Sequence, residues 1–164
     1  MSPTQRHELL VRLHDDAKLS ITTLAAMMDV DSADVEATIA ELEASGIIRG
    51  YCAVINWDRI ERDRVRGIIE VKVAPQREVG FDAVARRIYQ YPEVKDVTLV
   101  SGSYDLQVIV EGQRIQEVAR FVSERLATIE HVQSTTTHFV LKTYKVDGVV
   151  LDDDGGEQRL VISP

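Results

Sequence analysis

The sequence predicts an α+β chain in two parts: a helical first third, then elements in the order β-α-β-β-α-β. Three observations carry this. Residues 20–50 read as a helix, a tight turn, a longer helix, a glycine stop and a β-branched run. Residues 57–64, WDRIERDR, mix both signs of charge without a clean period, as a linker does. Beyond them, apolar spacing switches repeatedly between period 2 and period 3.6.

In the first part, residues 4–15 place Leu9, Leu10 and Leu13 at helical spacing, with Thr4 as the expected N-cap. Ser20 caps the next helix, whose inward face is Ile21, Leu24, Ala25 and Met28. Asp29-Val30-Asp31 makes the turn. Asp31 or Ser32 then caps a third helix, where Val35, Ile39 and Leu42 recur at i, i+4 and i+7 and pack inward. Gly46 falls where a C′ glycine belongs. Residues 47–56 alternate like a strand and complete the outline of a winged helix-turn-helix.

In the second part, residues 66–74 read as a strand. Residues 80–91 read as a helix with Phe81, Val84, Ala85 and Ile88 on one side. Residues 94–101 and 104–111 are strands, joined through Gly102-Ser103 as a two-residue hairpin turn. Residues 113–128 form a helix with Ile115, Val118, Ala119, Val122 and Leu126 inward, and residues 131–143 form a long last strand. That order is the ferredoxin-like split unit. The expected division is therefore a helix-turn-helix module over 1–56, a linker over 57–64, a sheet module over 65–145 and an acidic tail over 146–164. The tail's two apolar runs around Asp-Asp-Gly-Gly make a candidate hairpin or edge strand, with a swinging acidic arm as the alternative.

Composition narrows the function classes. With 45% hydrophobic and 28% charged residues in 164, the chain can bury a core. A net charge of −8 does not itself advertise nucleic acid or membrane. Cys52 is the single cysteine, so no intramolecular disulfide forms, and it has no nearby base in sequence. No apolar run of about 18 residues and no secretory leader is visible, so a soluble cytoplasmic protein is expected. His7, His14 and His131 show no metal-ligand spacing, and Met27-Met28 reads as core. No phosphate loop, Gly-x-Ser-x-Gly or His-Glu-x-x-His is present; neither an enzyme, a cofactor nor a metal is expected.

The local motifs are specific. Residues 42–56, LEASGIIRGYCAVIN, residues 100–108, VSGSYDLQV, and residues 134–145, STTTHFVLKTYK, together resemble the Lrp/AsnC family, the leucine-responsive and feast/famine regulators. The resemblance spans about residues 4–145. It implies a sequence-specific DNA-binding transcriptional regulator with double-stranded DNA and a small amino-acid-like effector as partners. It also implies homodimers that associate into octamers. An uncovered sheet face carrying Ile68, Val100 and Ile109 points the same way.

One departure bears on function. The family usually places two basic residues shortly after the valine of its second helix, whereas here Val35 is followed by Glu36, Ala37 and Thr38. Residues 1–50 hold four Lys and Arg against nine Asp and Glu, a net charge of −5. The candidate DNA contacts are Thr22, Thr23, Ser32, Asp34, Thr38 and Arg49. Asp34 or Glu36 would accept from a cytosine amino group, Thr38 would touch a thymine methyl, and Arg49, with linker residues Arg59, Arg62 and Arg64, would hold phosphates. The candidate effector residues are Gly102, Tyr104 and Asp105, with His138 on the last strand. The alternatives are a DNA-silent ligand sensor or assembly partner, and a siroheme-decarboxylase-like enzyme on the same architecture.

Overall fold

The computed structural model describes residues 1–60, 64–74 and 80–151. The chain divides into two units, Met1–Val54 and Ile55–Pro164. Candidate linker residue Arg62 and the hairpin expected around Asp-Asp-Gly-Gly lie outside the described residues.

The first unit holds three helices: α1 (Pro3–Asp15), α2 (Ile21–Met28) and α3 (Ser32–Ala44). The first cap differs from the expected Thr4. Ser2 is the N-cap, with Pro3 at N1 and a capping box in which Ser2 Oγ accepts from the Gln5 amide and Gln5 Oε1 accepts from the Ser2 amide. Two donors are satisfied this way that Thr4 would leave open. Ser20 caps α2 through the Thr23 amide at 3.0 Å, and Asp31 caps α3 through the Ala33 amide at 3.0 Å. Between them Asp29 takes the left-handed conformation at φ 52°. Leu9, Leu13, Leu24, Ala25, Met28, Val35 and Leu42 form the core.

Gly46, at φ +72°, ends α3, and the Ile47 amide donates back to the Leu42 carbonyl at 3.0 Å. The wing strand expected at residues 47–56 does not form. A strand exists only through a ladder partner, and the described residues supply none there; Ile47, Tyr51, Val54 and Ile55 stay exposed.

In the second unit a four-stranded antiparallel sheet runs in the order β2-β3-β1-β4, with β1 (Val65–Val73), β2 (Val94–Leu99), β3 (Leu106–Gly112) and β4 (Val132–Phe139). Helices α4 (Phe81–Ile88) and α5 (Ile115–Phe121) cover one face. Ile69, Val71, Val73, Leu106, Val108 and Val110 from the strands meet Val84, Ile88, Val118, Phe121, Leu126 and Ile129 there. A π-helical turn, Val122–Leu126, continues α5 and shifts its phase. Leu126 therefore points inward along with Val118 and Phe121 of α5, while Ile115 and Ala119, expected inside, are exposed.

The opposite face differs from the apolar surface expected. Ile68 pairs directly with Ile109, but Glu70, Gln107, Thr136 and His138 surround them. Val100 lies past the end of β2, in the loop. Beyond β4, β5 (Lys145–Val146) and β6 (Val149–Val150) make a small hairpin around Asp147-Gly148, both at positive φ. That Asp-Gly pair is the signal for such a turn.

The β2–β3 connection also differs. It is a six-residue loop over 100–105, and Gly102 is not in the left-handed region. The cause is Asp105. Its amide donates to the Val71 carbonyl at 3.0 Å, and its Oδ2 accepts from the Val73 amide at 2.8 Å. The residue thereby prolongs the β1–β3 ladder, while its carbonyl accepts from the Val100 amide at 2.9 Å and closes the loop. Asp105→Ala leaves the Val73 amide without an acceptor and is expected to cost about 1–3 kcal/mol of stability in urea, with no ligand present. Asp105→Asn, which keeps a carbonyl oxygen, is expected to lose less.

Candidate functional site

The helix-turn-helix offers the face of α3 that its core leaves out. Val35, Thr38 and Leu42 are the buried residues of this helix, and Ile39 is half-buried. Thr38 is only 4% exposed, and its hydroxyl donates to the Asp34 carbonyl at 2.7 Å. It cannot touch a thymine methyl, contrary to the sequence reading. A threonine at this depth in a helix satisfies its hydroxyl on the carbonyl four residues back.

Diametrically opposite lie Ala33, Ala37, Ala40 and Ala44, all exposed, with Asp34 and Glu41 along one flank and Glu36 and Glu43 along the other. The two carboxylates near the C-terminal end are engaged. Arg6 grips Glu41 with both guanidinium nitrogens, one of them at 2.8 Å, and this hydrogen bonding holds the Glu41 carboxyl below the ordinary range. Tyr51 Oη donates to Glu43 Oε1 at 2.8 Å; partial burial and then that carboxylate raise the phenol above its ordinary value. Among the described residues the side chains of Asp34 and Glu36 accept no hydrogen bond and join no ion pair.

The other candidate DNA contacts are placed as follows. Thr22 and Thr23 are exposed at the start of α2, their hydroxyls 2.8 and 2.7 Å from Ser20 Oγ. Ser32 is half-buried at the first position of α3. Arg49 is exposed and folds its guanidinium over Gly46. Of the cations in this unit, Arg6 and Arg12 are committed to Glu41 and Glu8, whereas Lys18 and Arg49 form no ion pair among the described residues. In the second unit, Arg64 pairs with Glu111 and lies over the Trp57 ring at 4.0 Å.

The effector candidates do not converge as a set. Gly102 is exposed and Tyr104 half-buried in the 100–105 loop, where Tyr104 Oη accepts from Gln107 Nε2 at 3.5 Å. Asp105 spends its carboxylate on β1. His138 sits across the same open face, on β4 opposite Ile68: its Nε2 is 3.4 Å from Glu70 Oε1 on β1, and Glu70 stands opposite Gln107, the partner of Tyr104, so β1 separates the two candidates. It belongs to the open sheet face, which the sequence could not show because sheet order is a long-range property. A cavity of about 290 Å³ lies at the far end of β3 from the loop, lined by Glu93, Glu111, Gly112, Val118, Phe121 and Arg125, among others. No charge periodicity marked it, because its walls come from three separate segments.

Comparison with known proteins places this geometry. The family model described as the Lrp/AsnC ligand binding domain matches residues 66–150. The uncharacterized HTH-type transcriptional regulator YugG of Bacillus subtilis is 43% identical over 158 residues, covering 96% of this chain and 95% of the relative. The leucine-responsive regulatory protein of Rhizobium meliloti is 26% identical over 84% of this chain and 88% of its own length. Among solved structures, transcriptional regulator NMB0573 of Neisseria meningitidis, in complex with L-Met, superposes with a TM-score of 0.69 at 20% identity, covering 89% of this chain and 93% of that one.

Proposed function

The chain belongs to the Lrp/AsnC family of HTH-type transcriptional regulators, and from that premise we propose how it reads DNA, what it senses and how it assembles. Its function is DNA-binding transcriptional regulation in response to a small effector. The observation that carries the DNA reading is the exposed outer face of α3, set by the burial of Val35, Thr38 and Leu42. The N-terminal half of such a helix enters the major groove. Ala33, Asp34, Glu36 and Ala37 meet base edges, while Thr22, Thr23, Ser32 and Arg49 meet phosphates and set the register.

The effector is an amino acid or a close analogue, bound at the 100–105 loop through Gly102 and Tyr104, with Asp105 holding the loop against β1. Support comes from the match to a ligand-binding domain and from the L-Met held by the Neisseria regulator. Ser101, Gly102 and Ser103 are exposed, and a site of this kind must enclose most of its ligand. A second copy of the chain closes it. The working unit is accordingly a homodimer, supported by the half-buried Ile68 and Ile109 on the sheet face away from α4 and α5 and by exposed Ile47, Tyr51 and Val54. Nothing in the site calls for catalysis, and the proposed role is regulation. No helix among the described residues is long and apolar enough to cross a membrane.

Binding to a genomic DNA pool at low salt tests the DNA reading. Each phosphate neutralised contributes a slope of about −0.9 to log K against log salt, so the intact protein is expected to show a shallow slope and weak non-specific affinity. Ala37→Arg adds a cation to the outermost face and should steepen that slope and raise non-specific affinity; Arg49→Ala should weaken all sequences alike. If the wild type retains no DNA while Ala37→Arg does, the chain is a DNA-silent sensor. A panel of amino acids including L-Met should raise the melting temperature of the intact protein. A ligand at 100 times its Kd contributes about 2.7 kcal/mol, and a panel that shifts nothing overturns the effector proposal. Light scattering at micromolar concentration should give at least twice the single-chain mass; a monomer overturns the assembly.

A further inference from the structure

The outer face of α3 has a chemical property that its charge alone does not convey. Between Ala33 and Ala44 every exposed side chain is either a methyl group or a carboxylate. Carboxylates only accept hydrogen bonds at neutral pH, and methyls do neither. Thr38, the one hydroxyl within that stretch, is buried and donates to its own helix. Glu41 and Glu43 are occupied by Arg6 and Tyr51. The half of the helix that meets bases therefore presents two unoccupied acceptors, Asp34 and Glu36, on either side of two methyls, Ala33 and Ala37.

Resting on the DNA-binding role above, we propose that this is a donor-free reading face, which recognises its operator through pyrimidines. Guanine shows two acceptors in the major groove, N7 and O6, and needs Arg or Lys to be read; adenine shows N7 beside N6 and needs the paired donor and acceptor of Asn or Gln. A carboxylate meets repulsion from guanine N7 and O6 and from adenine N7. Cytosine N4 offers a hydrogen with no acceptor of its own base in the groove beside it. Thymine offers its C5 methyl, which an alanine methyl packs against. Asp34 and Glu36 accept from cytosine N4, and Ala33 and Ala37 cover thymine methyls. Ala37, and not Thr38, is a specificity-determining residue. The unoccupied carboxylates also discriminate: opposite a purine acceptor they are buried without a partner, so a wrong base is rejected more than a right one is held.

The test uses the intact protein and the operator recovered from a random DNA pool at low salt, resynthesised with one altered base at a time. Deoxyuridine for thymidine removes a methyl contact and should weaken binding about fourfold at positions beneath Ala33 or Ala37. N4-methyldeoxycytidine blocks the groove-facing hydrogen and should weaken binding about tenfold at positions opposite Asp34 or Glu36. 7-Deazaguanine and 7-deazaadenine, which lack the N7 acceptor, should bind as well as the natural bases. Asp34→Asn and Glu36→Gln, exposed near-isosteric changes, should move the preferred base at their own positions from cytosine toward adenine. If the operator binds specifically but loses affinity with 7-deazapurines at the positions those two variants govern, or ignores the pyrimidine analogues, the donor-free face is wrong while DNA binding stands. Recovery of no operator at all overturns the DNA-binding role together with this proposal.

Discussion

Packing of α3 against α1 and α2 takes Val35, Thr38 and Leu42 out of solvent and thereby fixes the rotation of the helix about its own axis. With 3.6 residues per turn, that choice puts Ala33, Ala37, Ala40 and Ala44 on the opposite crest and spreads the acids along its flanks. No other feature of the first unit has as much effect on what it can recognise. A rotation of one residue would bring Thr38 to the surface and bury a carboxylate, which burial without a partner forbids. The few buried side chains of a small core thus decide the chemistry of the outward face.

Electrostatics then sets how that face performs. A helix whose acids approach phosphates loses the sequence-independent affinity that most DNA readers draw from counterion release. Within the unit, the Arg6–Glu41 pair and the Tyr51–Glu43 hydrogen bond quiet the acids at the C-terminal end of α3, and Arg49 sits just past that end. The surface pair between Arg6 and Glu41 adds little stability; its consequence is to cancel a charge beside the binding face. On the reading proposed above, such a helix gives up strength on every sequence and keeps its discrimination, since the remaining carboxylates tolerate few bases.

In the second unit the organising strand is β1, which pairs with β3 on one side and β4 on the other. Asp105 extends its pairing with β3 by one side-chain contact, and this ties the loop carrying Gly102 and Tyr104 to the centre of the sheet. A motif that looks like a binding turn is therefore half scaffold. The strand positions the loop, and in the effector site proposed above the ligand chemistry falls to its exposed residues, the usual division between a rigid sheet and a recognition loop.

By itself the sequence determined what depends on local spacing and local chemistry. Periodicities of 3.6 and 2 marked five helices and, beyond residue 64, the four strands of the sheet in order. Ser20 and Asp31 announced their caps, and Gly46 its positive φ, because each satisfies backbone groups within a few residues of itself. The absence of cations from α3 was likewise plain, and so was the family. Only the tertiary structure decided the rest. Thr38 and Ile39 are adjacent and both fit an inward phase, and only the three-helix core shows that Thr38 is the more deeply buried of the two. His138 and Tyr104 look equally near a ligand in sequence, but the order β2-β3-β1-β4 puts β1 between the strand of His138 and the β3 end that carries the Tyr104 loop. Asp105 reads as a turn residue until β1 arrives beside it. Residues 47–56 read as a strand but find no ladder partner among the described residues. In each case the deciding contact joins residues far apart in sequence, and neither spacing nor propensity carries information about which distant backbone or side chain comes to occupy a given face.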